Sequence, residues 1–150
     1  MKVKRLFQAP VTQIYRAWTE PAMMNQWFHP NPEMNSVCTV DLGVSGRDEV
    51  QMHPKEGDPF IVHGVYEEII PKKRLTFTWQ WRHDEGEEPN EETLVTVMFR
   101  AIDAAQTELT LLHERFGSDE ERDSHTWGWQ ETLDRLGETR AKSDLARGQE

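Results

Sequence analysis

Alternating apolar and polar side chains predict β structure in the middle of the chain. In the segment 74–82 every second residue is apolar, so one face of a predicted strand carries Leu75, Phe77, Trp79 and Trp81. The segment 93–99 is rich in β-branched residues and also repeats every second position, with Val97 on its apolar face. The acidic stretch 84–92 is predicted to be a solvated hairpin loop, because it lacks the spaced ligands and central glycine of a calcium loop.

Similar patterns predict a total of about seven antiparallel strands. The others are expected at 3–9, 36–42, 47–52, 60–70 and 107–114. The last of these follows a tight turn and places Leu111 and His113 on one face. The direction of Tyr66 stays open, because the neighbouring Gly64 favours one facing while the apolar positions around it favour the other.

Apolar positions at helical spacing predict two short helices and one long helix. The short helices are expected at 10–19 and 21–28, the second beginning with a proline at a first-turn position. A capping-box pattern begins the long helix at Ser118, and the helical periodicity continues towards residue 147. Its predicted buried stripe consists of His125, Trp129, Leu133 and Leu136. Trp127 falls on another side of the helix and is expected to be peripheral.

This order of elements predicts a single α+β domain over residues 1–150, with a core at about 3–147. A twisted antiparallel sheet with one apolar face curls, and the long C-terminal helix is the element left to cover that face. The two short helices after the first strand can hold one end of the sheet away from the long helix. The sequence therefore predicts a curved sheet around a helix, with a cavity between them.

The charge balance narrows the range of partners. With 17 Lys and Arg against 27 Asp and Glu, the formal net charge is -10, which repels phosphate backbones. We therefore expect neither nucleic acid nor a membrane as a partner. The lone Cys38 cannot form a disulfide within the chain, and the amino-terminal residues lack the apolar core of a signal peptide, so a cytoplasmic location is predicted.

Several blocks of sequence resemble the START-like SRPBCC superfamily, and within it the family homologous to the activator of the heat-shock protein 90 ATPase. These blocks lie at 7–21, 27–28, 64–79, 92–97 and 107–111, and on the last helix at 128–136. The resemblance implies a helix-grip fold, in which the sheet wraps the long helix and leaves a hydrophobic ligand cavity. It implies no single activity, because the superfamily includes carriers of lipids and secondary metabolites, cyclases and co-chaperone domains. The co-chaperone activity belongs to larger proteins with a further amino-terminal domain, and we do not expect it here.

The sequence contains no strong catalytic or metal-binding motif. It has no G-x-S-x-G elbow, P-loop, G-x-G-x-x-G or H-E-x-x-H pattern, so no catalytic residue and no cofactor are assigned. One cysteine and scattered histidines offer no close ligand pair, so no metal is expected. Three roles remain open for His113 and His125: each bonds a neighbouring group, orients a ligand, or acts as an acid or base.

The leading hypothesis is a protein that binds a small hydrophobic or aromatic molecule between the sheet and the C-terminal helix. Trp79 and Trp81 form either an aromatic wall or part of the core, and Trp27 and Phe28 form either the cavity mouth or a hydrophobic clasp. The predicted ligand-binding residues are Trp27, Phe28, Phe77, Trp79, Trp81, Val97, Leu111, His113, His125, Trp129 and Leu133. The alternatives are a cyclase or hydrolase that uses a cavity histidine, or a protein-interaction module with an acidic surface.

Overall fold

The computed structural model describes residues 1–82 and 91–148, with side chains as far as residue 139. The elements in chain order are β1 Lys2–Phe7, α1 Val11–Thr19, α2 Pro21–Met24, β2 Asn35–Val40, β3 Arg47–His53, β4 Phe60–Ile70, β5 Arg74–Trp81, β6 Thr93–Asp103, β7 Gln106–Glu114 and α3 Asp119–Gly148. Most of the acidic stretch predicted to be a hairpin loop falls at 83–90, which lies outside the described residues.

The strands form one antiparallel sheet in the order β1-β7-β6-β5-β4-β3-β2. Strands β2 to β7 each pair with the strand that follows or precedes them in sequence, and β1 joins β7 at the far edge. The α+β prediction of a seven-stranded sheet, two short helices after the first strand and a long C-terminal helix is confirmed.

The second short helix is shorter than predicted. It ends at Met24, and Trp27 and Phe28 lie in the turns that follow, with their backbone N–H groups donating to the Met24 carbonyl at 3.2 and 3.0 Å. The side chain of Asn25 at the end of this helix accepts a hydrogen bond from the Cys38 N–H of β2 at 2.7 Å. The Trp27 indole N–H donates to the Ala17 carbonyl of α1 at 2.9 Å. Hydrogen bonds to α1 and β2 therefore hold this segment in place of further turns of α2.

A β-bulge in β4 resolves the direction of Tyr66. The pairing between β4 and β5 shifts register between Tyr66 and Glu68, so the alternation changes side at that point. Tyr66 is 2% exposed and faces the core, and Ile69, beyond the bulge, also packs against the core. Gly64 fits here because a Cβ atom at this position would lie 1.8 Å from the Thr78 carbonyl oxygen.

The long helix α3 covers the concave face of the sheet. Its N-terminus is capped as predicted, because the Ser118 hydroxyl accepts the Glu121 N–H at 3.2 Å. The predicted stripe is buried at Trp129, Leu133 and Leu136, whereas His125, nearest the start of the helix, is half-buried. The middle of the domain is therefore filled with side chains, and the open space described below lies beside the first turns of α3.

Candidate functional site

An aromatic pocket opens where the first turns of α3 pass over the ends of strands β3, β4 and β5. Its volume is about 290 Å³, near the lower end of the range for small-molecule sites. Its lining residues are Phe28, Pro30, Met34, Met52, Phe60, Trp79, Trp81, Ser124, His125, Trp127, Gly128, Trp129 and Thr132. None of these is an acidic residue, a lysine or an arginine, so the wall suits an uncharged molecule.

Five separate segments build this pocket, and two of them, β3 and β4, supply one residue each. The alternation of β5 places Trp79 and Trp81 in one wall, and the turns after α2 supply Phe28 beside them. Helix α3 contributes two adjacent rows of side chains at intervals of four residues, Ser124, Gly128 and Thr132 next to His125 and Trp129. A Cβ atom at Gly128 would meet nothing within 4 Å, so this glycine leaves space in the pocket.

The back of the pocket is a cluster of aromatic rings. Trp79 lies at its centre, with ring centroids 5.0 Å from Trp129, 5.6 Å from Trp81 and 6.2 Å from Phe28. The ring of Phe28 is stacked on Trp79, whereas Trp81 meets it edge to face. Trp79 thus contacts both Trp81 and Trp129, and all three indoles border open space on their other side, which makes them a wall.

His113 is held in one tautomer by a chain of hydrogen bonds behind this wall. Its Nδ1 accepts the Trp129 indole N–H at 3.0 Å, so the proton of the neutral ring lies on Nε2. That N–H donates to the Thr93 hydroxyl at 2.7 Å, and the hydroxyl donates onward to the Trp79 carbonyl at 3.0 Å. Burial lowers the pKa of His113 to about 2, with a further contribution from His125.

His125 makes the corresponding bond to the other indole of the wall. Its Nε2 accepts the Trp81 indole N–H at 3.0 Å, and its Nδ1–H donates to the Glu121 carbonyl of α3 at 2.7 Å. Both ring nitrogens therefore have partners within the protein. Together the two histidines fix the positions of Trp81 and Trp129, and they do so as neutral acceptors.

The hydrogen-bonded pair of Trp81 and His125 also borders a second space of about 280 Å³ on its other side. This second space differs in character, because Glu91, Glu120 and Glu121 line it. The pair thus separates an uncharged pocket from an acidic one.

The structure brings together five of the eleven predicted ligand-binding residues. Phe28, Trp79, Trp81, His125 and Trp129 line the aromatic pocket. The other six are buried in the packed core and are not part of its lining: Trp27, Phe77, Val97, Leu111, His113 and Leu133.

The sequence reasoning missed the remaining lining residues. Ser124, Gly128 and Thr132 could have been found as the row that flanks His125 and Trp129 on the same helix. Trp127 is peripheral as predicted, with 59% of its surface exposed, yet it also borders the pocket. The other missed residues come from loops and strand ends that only the tertiary fold brings near: Pro30, Met34, Met52 and Phe60.

A half-buried aspartate with one fully buried carboxyl oxygen lies elsewhere on the core-facing side of the sheet. Asp48 alternates with the buried Val50 and Met52 on β3 and pairs with Gly64 of β4. Its Oδ1 is buried, and among the described residues it has no hydrogen-bond partner. Burial raises the pKa of Asp48 to about 6. Burial, and secondarily the charge of Asp48, raises the pKa of the nearby Cys38 thiol to about 12.

Two other kinds of site are absent from the part of the chain that the structure describes. Among the side chains described, those of residues 1–82 and 91–139, no three or more His, Cys, Asp or Glu are placed to hold a metal ion. No helix within the same ranges is long and apolar enough to cross a membrane.

The fold and the pocket define the class of protein. A curved antiparallel sheet that grips a C-terminal helix, with an apolar pocket between them, is a helix-grip arrangement. The chain belongs to the family of Activator of Hsp90 ATPase homolog 1-like proteins, whose family model matches residues 8–141. The resemblance noted in the sequence is thereby confirmed. No curated protein matches the chain.

Solved structures share this fold. The AHSA1 protein of Silicibacter pomeroyi is 24% identical and superposes with a TM-score of 0.82, covering 95% of this chain and 98% of its own. A protein of Rhodobacter sphaeroides is 21% identical, with a TM-score of 0.77 over 94% of this chain and 91% of its own. CalU16 of Micromonospora echinospora is 20% identical, with a TM-score of 0.68 over 99% of this chain and 80% of its own. At these identities the likeness concerns the fold.

Proposed function

We propose that this protein binds a small hydrophobic or aromatic molecule in the aromatic pocket. The observation that carries the proposal is a space of about 290 Å³ walled by Phe28, Trp79, Trp81 and Trp129 and free of permanently charged side chains. The family to which the chain belongs has a fold that accommodates hydrophobic ligands, which agrees with this proposal. The net charge of -10 favours such a partner over a nucleic acid or an anionic membrane. We also propose a cytoplasmic location, because the single Cys38 forms no disulfide within the chain.

The wall is organised before a ligand arrives. The indoles of Trp81 and Trp129 are hydrogen-bonded to His125 and His113, so their orientation does not have to be fixed on binding. A site that is already ordered loses less conformational entropy when it binds, which increases affinity for a given contact area. Rigid aromatic rings also favour flat ligands, because such ligands stack on or meet the ring faces.

The same hydrogen bonds argue for binding rather than chemistry. His125 is the histidine that lines the pocket, and both of its ring nitrogens are bonded, one to Trp81 and one to the Glu121 carbonyl. An acid or base role would require its Nε2 to leave Trp81 first. His113 is completely buried and bonded at both nitrogens.

The test is a titration of naphthalene against intrinsic tryptophan fluorescence, with isothermal calorimetry as the second readout. The wild-type protein should give a saturable response. Gly128→Leu places a side chain in the open space of the pocket and should weaken binding at least about 10-fold, because the ligand and the leucine compete for one volume.

The matched control is Gln130→Leu, which places the same leucine side chain at an exposed position of the same helix and should leave binding unchanged. A wild-type protein that responds to no aromatic probe, or a Gly128→Leu variant that binds as well as the wild type, would refute the proposal.

A further inference from the structure

One hydroxyl group in the lining of the aromatic pocket has no hydrogen-bond partner. Thr132 lines the pocket from α3, and its hydroxyl makes no hydrogen bond to any of the described residues. Elsewhere on this helix the hydroxyls of Thr126 and Thr139 donate to the carbonyl four residues earlier, at 2.8 and 3.0 Å, as threonines within helices commonly do. Thr132 departs from this pattern, so its hydroxyl stays available to another group.

The Thr132 hydroxyl is also within reach of a ligand. Among the described residues, the polar side-chain atoms that are fully enclosed and have no partner belong to Trp18, Asp48 and Trp79. The oxygen of Thr132 is not one of them, so it keeps some contact with open space. Only 5% of the residue is exposed, and its short side chain borders the pocket. The pocket is therefore the space from which this oxygen can be reached.

The other polar side chains deep in the lining have no capacity left for a ligand. The indole N–H groups of Trp81 and Trp129 donate to His125 and His113. The second ring nitrogen of His125 is bonded to a backbone carbonyl. The N–H of Trp79 is fully enclosed, so no molecule in the pocket can contact it.

Two further polar residues of the lining lie at the mouth of the pocket. Ser124 and Trp127 are both exposed, so water can pair with their polar groups whether or not a ligand is bound. Thr132 follows Ser124 by eight residues on α3, which is about 12 Å along the helix axis, and it is buried where Ser124 is exposed. Its hydroxyl thus marks the inner end of the pocket.

We propose that the ligand is an uncharged aromatic molecule with one hydroxyl or carbonyl group, and that this group enters first and bonds to the Thr132 hydroxyl. The inference rests on the proposed function, because it assigns the chemical class and the orientation of the molecule that the pocket holds. Thr132 is then the residue that determines specificity for the polar group, while the aromatic wall contacts the rings.

The physical reason is the cost of covering a hydroxyl group. A purely apolar ligand would cover the Thr132 oxygen and leave it without any partner, which costs free energy. A hydroxyl group can donate and accept, so it pairs equally well with a ligand hydroxyl or a ligand carbonyl. A charged group is disfavoured, because no acidic residue, lysine or arginine lines the pocket to offset the loss of its hydration.

The experiment compares naphthalene with 2-naphthol, which carries one hydroxyl group on the same ring system. Both are uncharged at pH 7. The measured quantity is the ratio of the two dissociation constants, naphthalene over 2-naphthol, in the wild type and in variants at Thr132. Comparing this ratio between variants cancels the difference in hydration between the two probes, because that difference is the same for every variant.

Thr132→Val removes the hydroxyl and keeps the shape of the side chain, so it should lower this ratio by about five-fold, which corresponds to one hydrogen bond between neutral groups. Thr132→Ser keeps the hydroxyl and should keep the ratio of the wild type. The matched control is Thr126→Val, which makes the same replacement on the same helix outside the pocket lining and should also leave the ratio unchanged. Circular dichroism checks that the variants are folded.

A second measurement tests the orientation in the wild-type protein. With 13C-labelled threonine methyl groups, nuclear Overhauser effects should connect the Thr132 methyl group to the ring protons beside the naphthol hydroxyl. The methyl resonance is assigned from its absence in the spectrum of Thr132→Ser. Contacts from this methyl group to the unsubstituted ring alone would contradict the proposed orientation.

The outcomes separate the two proposals. If both probes bind but the ratio is the same in Thr132→Val and the wild type, or Thr126→Val lowers it as much, the inference about Thr132 is wrong and the binding function stands. If neither probe binds, the proposed function fails and this inference fails with it.

Discussion

The replacement Asp48→Asn should stabilise the protein, relative to the wild type, more at pH 8 than at pH 4. Asp48 is half-buried on the core-facing side of β3, and its Oδ1 is buried with no hydrogen-bond partner among the described residues. Burial raises its pKa from 3.8 to about 6. The folded protein therefore holds this proton in a pH range in which the unfolded chain has released it.

The sign and the magnitude follow from proton linkage. Between pH 3.8 and about 6 the folded state binds more protons at Asp48 than the unfolded state, so this residue lowers the free energy of unfolding as pH rises. Each pKa unit corresponds to about 1.4 kcal/mol, which gives a penalty of at most about 3 kcal/mol above pH 6. Below pH 3.8 the penalty is absent, because both states are protonated.

The assay is urea unfolding of the wild type and Asp48→Asn at pH 4, 5, 6, 7 and 8. The stability difference, variant minus wild type, should rise by about 2–3 kcal/mol across this range. The cost of burying the asparagine amide is the same at every pH, so it shifts the curve without changing its rise. The difference also removes the opposing contribution of other groups, such as His113.

The matched control is Asp58→Asn, which removes the same charge from an exposed position outside the strands. Its difference curve should rise far less than that of Asp48→Asn. A flat curve for Asp48→Asn, or one that falls towards high pH, would refute the account of Asp48 as a buried carboxyl whose ionisation opposes folding.

Two other predictions concern buried groups. His113→Phe should lower the free energy of unfolding by about 1–3 kcal/mol, because it leaves the buried Trp129 N–H without its acceptor. Adding Trp129→Phe to that variant should cost less than it costs in the wild type, and equal costs in the two backgrounds would contradict the role given to this hydrogen bond. Cys38 should resist a thiol reagent in the native protein at pH 8 and react once urea unfolds the chain, because burial raises its pKa to about 12. Rapid labelling of the native protein would show that this thiol is accessible.

Much of the fold could be predicted from local patterns. The period-two alternation of β5 identified the strand that carries Trp79 and Trp81, and the spacing of Trp129, Leu133 and Leu136 identified the buried face of α3. These patterns are local consequences of strand and helix geometry, so they can be read without the tertiary structure.

The candidate site was less predictable, because its parts meet only through long-range packing. Phe28, Met52 and Phe60 come from separate segments, and the order of the strands decides that they lie beside α3. The sequence also placed Trp27 with Phe28, but neighbours in a turn point in different directions, and Trp27 lies in the core. The bulge after Tyr66 is a register shift that strict alternation cannot reveal.

The pairing of two tryptophans with two histidines has a consequence for how specificity can diverge. In the deep part of the site, the indole of Trp129 is hydrogen-bonded to His113 in the core. A substitution at either residue therefore lowers the stability of the protein as well as changing the shape of the pocket. The rim residues Phe60 and Trp127 are exposed, and no such hydrogen bond holds them among the described residues. Substitutions at the rim can therefore change which ligands bind during evolution, while the deep part of the pocket stays the same.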